Sequence, residues 1–195
     1  MTNIKTFKDD FLLGIQPGDV LIIEQYAHIY EYARLLDLIY DENSKESIVK
    51  GVRVQMLEDD EIKTFSVFLV EPLTINTLTL QKFGFDNFEK DTIYATNGQF
   101  SLRLNDGPER IYVSTKSSPC CWIYKAEDNF DLDEEHAILV KFMYDIQHEF
   151  EKYCNRKLDL SQYYVPNNAY DQKKRDYDDF IKQQIRSVLS KNDIY

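Results

Sequence analysis

Histidine, glycine and cysteine are all scarce in this chain of 195 residues, and each shortage removes a class of chemistry. The three histidines are His28, His136 and His148. On one helix, His136 and His148 would stand roughly 18 Å apart along the axis, too far to share an ion. His148 with Asp145, Glu149 and Glu151 makes a partial ligand set of the sort an acid-rich surface helix produces by composition, so no metal site is expected. His28 lies beside tyrosines and reads as a partly exposed strand residue. The six glycines form neither a G-x-G-x-x-G nor a Walker loop, and there is no G-x-S-x-G elbow. Cys120, Cys121 and Cys154, an odd count with two adjacent, are a poor disulfide framework and fit a reducing compartment. Two successive strand cysteines face opposite ways, one into the core, and Cys154 falls on an apolar helical stripe. No catalytic, cofactor-binding or metal residue is assigned, and no cofactor is expected.

Long apolar runs are missing too. None approaches the roughly 18 to 20 residues of a membrane span, and Met1-Thr2-Asn3-Ile4-Lys5 has no apolar signal region. Basic residues are the minority, 23 Lys and Arg against 34 Asp and Glu, for a formal net charge of -11. Phosphate backbones and anionic membranes are held by clustered cations, so neither nucleic acid nor a membrane is an expected partner. The acids do not make a calcium loop either. Glu58-Asp59-Asp60-Glu61 lacks the alternating spacing and the glycine, and the run from Asp128 to Glu135 alternates for two steps only.

What the chain has in quantity is aromatic side chains, 14 Tyr and 12 Phe, which favour strands. Strands are expected at 20–24, 92–95, 99–104, 110–114 and 121–125, with a hairpin of 48–56 and 62–70 around the acidic turn 58–61. The segment 28–40 is ambiguous, fitting a helical face with Ile29, Ala33, Leu36 and Tyr40 and partly a strand face with Ile29, Ala33 and Leu35, and is taken as strand. Asn105-Asp106-Gly107-Pro108 is a strong turn signal. Pro72 stops a strand, Thr74 caps a helix over 74–83 with Leu78, Leu80 and Phe83 on its apolar face, and Gly84 ends it where a positive φ is needed. A second helix is expected to begin at 131–133 and run for about six turns, its stripe made of Leu139, Phe142, Met143, Ile146, Phe150 and Tyr153.

The charge divides the chain. Residues 166–195 hold six basic and five acidic side chains, which leaves -12 on residues 1–165. The turn-like stretch Tyr163-Tyr164-Val165-Pro166-Asn167-Asn168 separates an α+β domain, 1–165, from an amphipathic helical tail, 166–195. The domain is expected to be an antiparallel, hairpin-rich sheet with one long helix packed on it. Tyr163, Tyr164, Tyr170, Tyr177, Phe180, Ile181, Ile185 and Val188 are the candidate partner-interface residues, since such a helix either folds back or lies on a partner.

Five blocks carry a resemblance. They are Phe11-Leu12-Leu13-Gly14-Ile15 with Leu21-Ile22, the segment Glu71-Pro72-Leu73-Thr74 to Phe83-Gly84-Phe85, Gln99-Phe100-Ser101-Leu102, Trp122-Ile123-Tyr124, and the run from Lys141 to Phe150. In that order the chain resembles a group of short proteins of Bacteroidetes and their phages, over roughly residues 11–160. Tyr144 stands where that group carries histidine, and His148 where it carries asparagine. The resemblance implies a phage-type setting and supplies no activity.

With no catalytic constellation, the expected function is non-enzymatic: a phage structural subunit in a multi-chain virion assembly of the neck or tail-ring type. It would be made in the host cytoplasm, with other protein subunits as partners, in a homo-oligomer or a multi-protein assembly. The alternative is an acidic interaction protein that inhibits a host nucleic-acid enzyme, and an enzyme of unknown class comes third.

Overall fold

The computed structural model describes residues 11–12, 14–24, 30–42, 48–87, 98–116, 118–124 and 136–166. The chain divides into compact units Met1–Tyr164 and Val165–Tyr195, and the described residues lie almost wholly in the first. That unit is built from two antiparallel five-stranded sheets and few helices, where a single sheet was expected.

The first sheet has the order β4-β3-β2-β1-β5, from β1 (Val20–Glu24), β2 (Tyr30–Tyr40), β3 (Val49–Met56), β4 (Ile62–Ser66) and β5 (Val70–Pro72). The ambiguous segment before Tyr40 is thus strand, and the acidic turn does join a hairpin. The expected strand 62–70 is broken, however, by a 3-10 turn at Val67–Leu69, where Val67 turns inward and Ser66 Oγ accepts from Phe68 N. This break moves the chain from one edge of the sheet to the other. Four Cα steps from Ser66 to Val70 reach about 15 Å at most, whereas four interstrand spacings in a flat sheet span about 19 Å. The sheet therefore curls enough to bring Ser66, at the end of β4, within that reach of Val70. Gly51, the third residue of β3, lies close against the neighbouring β4: a Cβ there would lie 2.8 Å from the Phe65 carbonyl oxygen. Gly51→Ala should accordingly lower stability by about 1–3 kcal/mol in chemical denaturation, as other overpacked sites do.

The second sheet has the order β10-β9-β8-β7-β6, from β6 (Asp86–Asn87), β7 (Gln99–Arg103), β8 (Arg110–Ser114), β9 (Cys120–Tyr124) and β10 (Ile138–Leu139). On β9, Cys121 is buried and Cys120 only partly so, as successive strand positions require. The strand expected at 92–95 lies outside the described residues.

Both helices are shorter than expected. The first, α1 (Thr77–Lys82), is capped by Asn76, whose side chain accepts from Thr79 N at 3.0 Å. Thr74 cannot cap it because residues 73–75 are extended and paired: Met143 N donates to the Leu73 carbonyl and Ile75 N to the Lys141 carbonyl. Leu78 then points to solvent, while Leu80 and Phe83 are buried. Gly84 does end the helix, at φ +76, with Phe85 N returning to the Leu80 carbonyl.

The second, α2 (Met143–Cys154), starts well after 131–133, so among the described residues a helix of about six turns from that start is not found. Residues 131–135 are outside the described set, but Ile138 and Leu139 pair with Cys121 and Cys120 as strand β10. The new start is set by Asp145, whose carboxylate accepts from Lys141 N and Phe142 N, both at 2.8 Å. Leu139, expected on the apolar stripe, is exposed. Asn155 closes the helix in the left-handed region, φ 53.

Two hydrophobic cores result. Leu21, Ile23, Ala33, Leu35, Val52, Val54 and Met56 of the first sheet pack with Phe11, Leu12, Ile15, Phe142 and Tyr144. Phe100, Leu102, Ile111, Val113 and Cys121 of the second pack with Leu80, Phe83, Met143, Ile146, Phe150 and also Val20. Several elements thus serve both cores. Strand β1 sends Val20 one way and Leu21 the other, and the start of α2 does the same with Met143 and Tyr144. Among the described residues no helix is long and apolar enough to cross a membrane.

Candidate functional site

Where β1 begins, the turn Gln16-Pro17-Gly18-Asp19 lies on the face of α2 that carries Gln147, His148 and Glu151. Asp19 holds its own turn closed, its Oδ2 accepting from Gln16 N at 2.8 Å. Its carboxylate is only 2% exposed. His148 Nε2 stands 3.1 and 3.0 Å from the two Asp19 oxygens. The Asp19 hydrogen bond raises the His148 pKa above its ordinary value, and the nearby Asp145 and Glu151 act in the same direction against burial. One turn back, the Tyr144 ring centre is 5.5 Å from the imidazole. Burial, with Asp145 and Asp19 adding to it, pushes the Tyr144 hydroxyl up to about 12.

Beside this pair, Gln147 is buried and fully used. Its Oε1 accepts from Val20 N at 3.1 Å, and its Nε2 donates to the carbonyls of Gly18 and Leu158 at 3.0 and 2.9 Å. Gln16 Nε2 donates to Glu151 at 3.1 Å. The turn, the helix and the segment after the helix are thus fastened by polar contacts around one point.

His148 also lines an open groove of about 610 Å³, whose other walls include Ser118, Pro119, Leu139, Lys141 and Lys152. Carboxylates at the groove are already engaged: Asp145 caps α2, and Glu149 accepts from Lys152. Among the described residues no three His, Cys, Asp or Glu side chains are grouped to hold a metal. Cys121 makes no nucleophile, because burial pushes its thiol up to about 12.

The residues expected at a partner interface fall into two groups. Tyr163 and Tyr164 close the domain: the Tyr163 hydroxyl accepts from Asn105 N at 3.0 Å, and the Tyr164 hydroxyl donates to Glu58 at 2.7 Å. The Tyr164 ring packs 5.6 Å from both Tyr32 and Phe83, and burial with the Glu58 hydrogen bond raises its pKa. Tyr170, Tyr177, Phe180, Ile181, Ile185 and Val188 lie outside the described residues, as does His28. His136 precedes β10 and is not on α2, so the spacing of His136 and His148 along one helix does not apply. Asp19 was missed. Nothing local to it announces a partner 129 positions away.

Compared with family models, curated proteins and solved structures, the chain matches none.

Proposed function

We propose that the chain is a non-enzymatic structural subunit of a multi-chain assembly, of the virion neck or tail-ring kind, joined to its neighbours through an open strand edge. The observation that carries this is β4. Among the described residues β4 pairs with β3 alone. The bond from Met56 N to the Glu61 carbonyl sets the alternation of the ladder, so Ile62, Thr64 and Ser66 turn their N–H and C=O groups away from β3. All three side chains are uncharged and exposed, Ile62 by 65%, and Phe68 just beyond is exposed by 77%. The strand has no proline. Its one lysine, Lys63, is held by Glu61 and Asp59 of its own hairpin at 2.8 and 3.6 Å. An edge of this kind is a template for a further strand. The phage-type resemblance supports the same reading.

The alternative of an acidic inhibitor draws less support, since Lys63 and Tyr164 occupy three of the four carboxylates at the hairpin tip. The enzyme alternative has the hydrogen-bonded pair of His148 and Asp19 as its best feature.

Light scattering should give a mass above the 23.1 kDa of one chain, rising with concentration, and mass spectrometry should find the chain in purified particles. Thr64→Pro deletes an outward N–H and no bond to β3, so it should weaken association severalfold while the domain still folds. A mass of one chain at every concentration, the same for wild type and Thr64→Pro, would refute the proposal.

A further inference from the structure

We propose that His148 and Asp19 form a pH-sensitive clasp, which ties the start of β1 to α2 while the imidazole is protonated and loosens as the imidazole loses its proton. The geometry supplies the means. Asp19 is buried, both its oxygens meet the imidazole nitrogen, and its remaining bond is a neutral one from Gln16 N. Among the described residues His148 is the one charged partner bonded to it, while Arg34 and Lys157 line the same small cavity, Arg34 paired with Asp159.

The carboxylates around the imidazole favour its protonated state, against burial and the cations of the groove. Asp19 faces it from the turn, and Asp145 and Glu151 lie on its own helix. Glu149 is paired with Lys152 on the same helix, and Lys141 stands across the groove. Tyr144 stays neutral throughout the range in which histidine titrates. A histidine whose pKa is raised on folding contributes stability that is complete below its unfolded value of about 6.5. That contribution is lost as pH rises through the folded value.

The consequence reaches beyond the pair because β1 contributes to both cores. Loosening the turn at Asp19 removes one tie between the first sheet and α2 and leaves Gln147 and the packing of Tyr144 to hold them, while Met143, Ile146 and Phe150 keep α2 on the second. The clasp thus acts at the joint between the sheets, and it operates within one chain whether or not the chain assembles.

The test is amide hydrogen exchange of β1 from about pH 5.5 to 8.5, corrected for intrinsic rates, in wild type, His148→Gln and Asp19→Asn. Wild-type protection should fall with rising pH by about tenfold for each unit by which folding raises the His148 pKa. Both variants should show a flat profile. The same slope in His148→Gln would overturn the clasp. If the variants fail to fold, an NMR titration of the wild-type imidazole decides: a value at or below about 6.5 overturns the clasp, and one above it supports it.

Discussion

Truncating Phe150 to alanine should destabilise the domain by about 3–5 kcal/mol, the range for deleting a large aromatic from a packed core. Phe150 is fully buried between α2 and the second sheet, in the cluster with Met143, Ile146 and Phe100. One face of its ring also carries the Arg156 guanidinium, 5.0 Å from the centroid. That guanidinium is itself held by Glu109 at 2.7 Å and Asp106 at 2.9 Å, so losing the ring exposes an ion-pair cluster to the cavity left behind. Phe150→Leu should recover more than half of the loss, because most of the volume returns while the cation–π contact does not. Tyr153, three positions on and half exposed, is the internal comparison: its alanine variant should change stability by about 0.5 kcal/mol or less. Urea denaturation of the three variants checks all of this, and equal losses at 150 and 153 would mean that α2 does not pack by this face.

The stripe that places Phe150 was legible from the sequence, since Met143, Ile146 and Phe150 recur at three and four positions. The start of the helix was not. Ile138 and Leu139 continue the same apolar rhythm backward, but β10 takes them as an edge strand opposite Cys121 and Cys120. Pairing with a distant strand overrode the local period. The same cause explains α1. Thr74 is a usable cap, though weaker than Asn76, but the backbone of 73–75 is bound to 141–143, and only the fold reveals that. Strand segments with clear turns at their ends, such as β3 with β4 and β7 with β8, needed no such knowledge. Gly84 could be read because a positive φ is a local demand. The two sheets were read as one because hairpins define neighbours, and nothing in a hairpin says where a sheet ends. At the candidate site, His148 stood out by rarity, whereas Asp19 and Gln147 are unremarkable until the fold brings them together.

Gln147 is where the second large effect is expected. Replacing it with alanine should cost about 2–4 kcal/mol, because three backbone groups lose their partner at once, two of them in buried bonds, and each buried, unsatisfied group costs about 1–3 kcal/mol. Those groups are Val20 N–H and the carbonyls of Gly18 and Leu158, and Val20 itself is fully buried. Gln147→Leu keeps the volume and removes the same bonds, so it should lose nearly as much, which separates hydrogen bonding from packing. Gln147→Glu should also fail: one carboxylate oxygen can accept from Val20 N, but the other would face two carbonyl oxygens with no proton to offer. The decisive measurement is amide exchange at Val20 in Gln147→Ala. Its protection should fall further than that of Ile111 or Val113, which lie in the same core but bond within the second sheet. A uniform loss across both sheets would mean that Gln147 acts on global stability alone. A loss centred on Val20 would identify it as the fastening that sets β1, and with it the turn bearing Asp19, against α2.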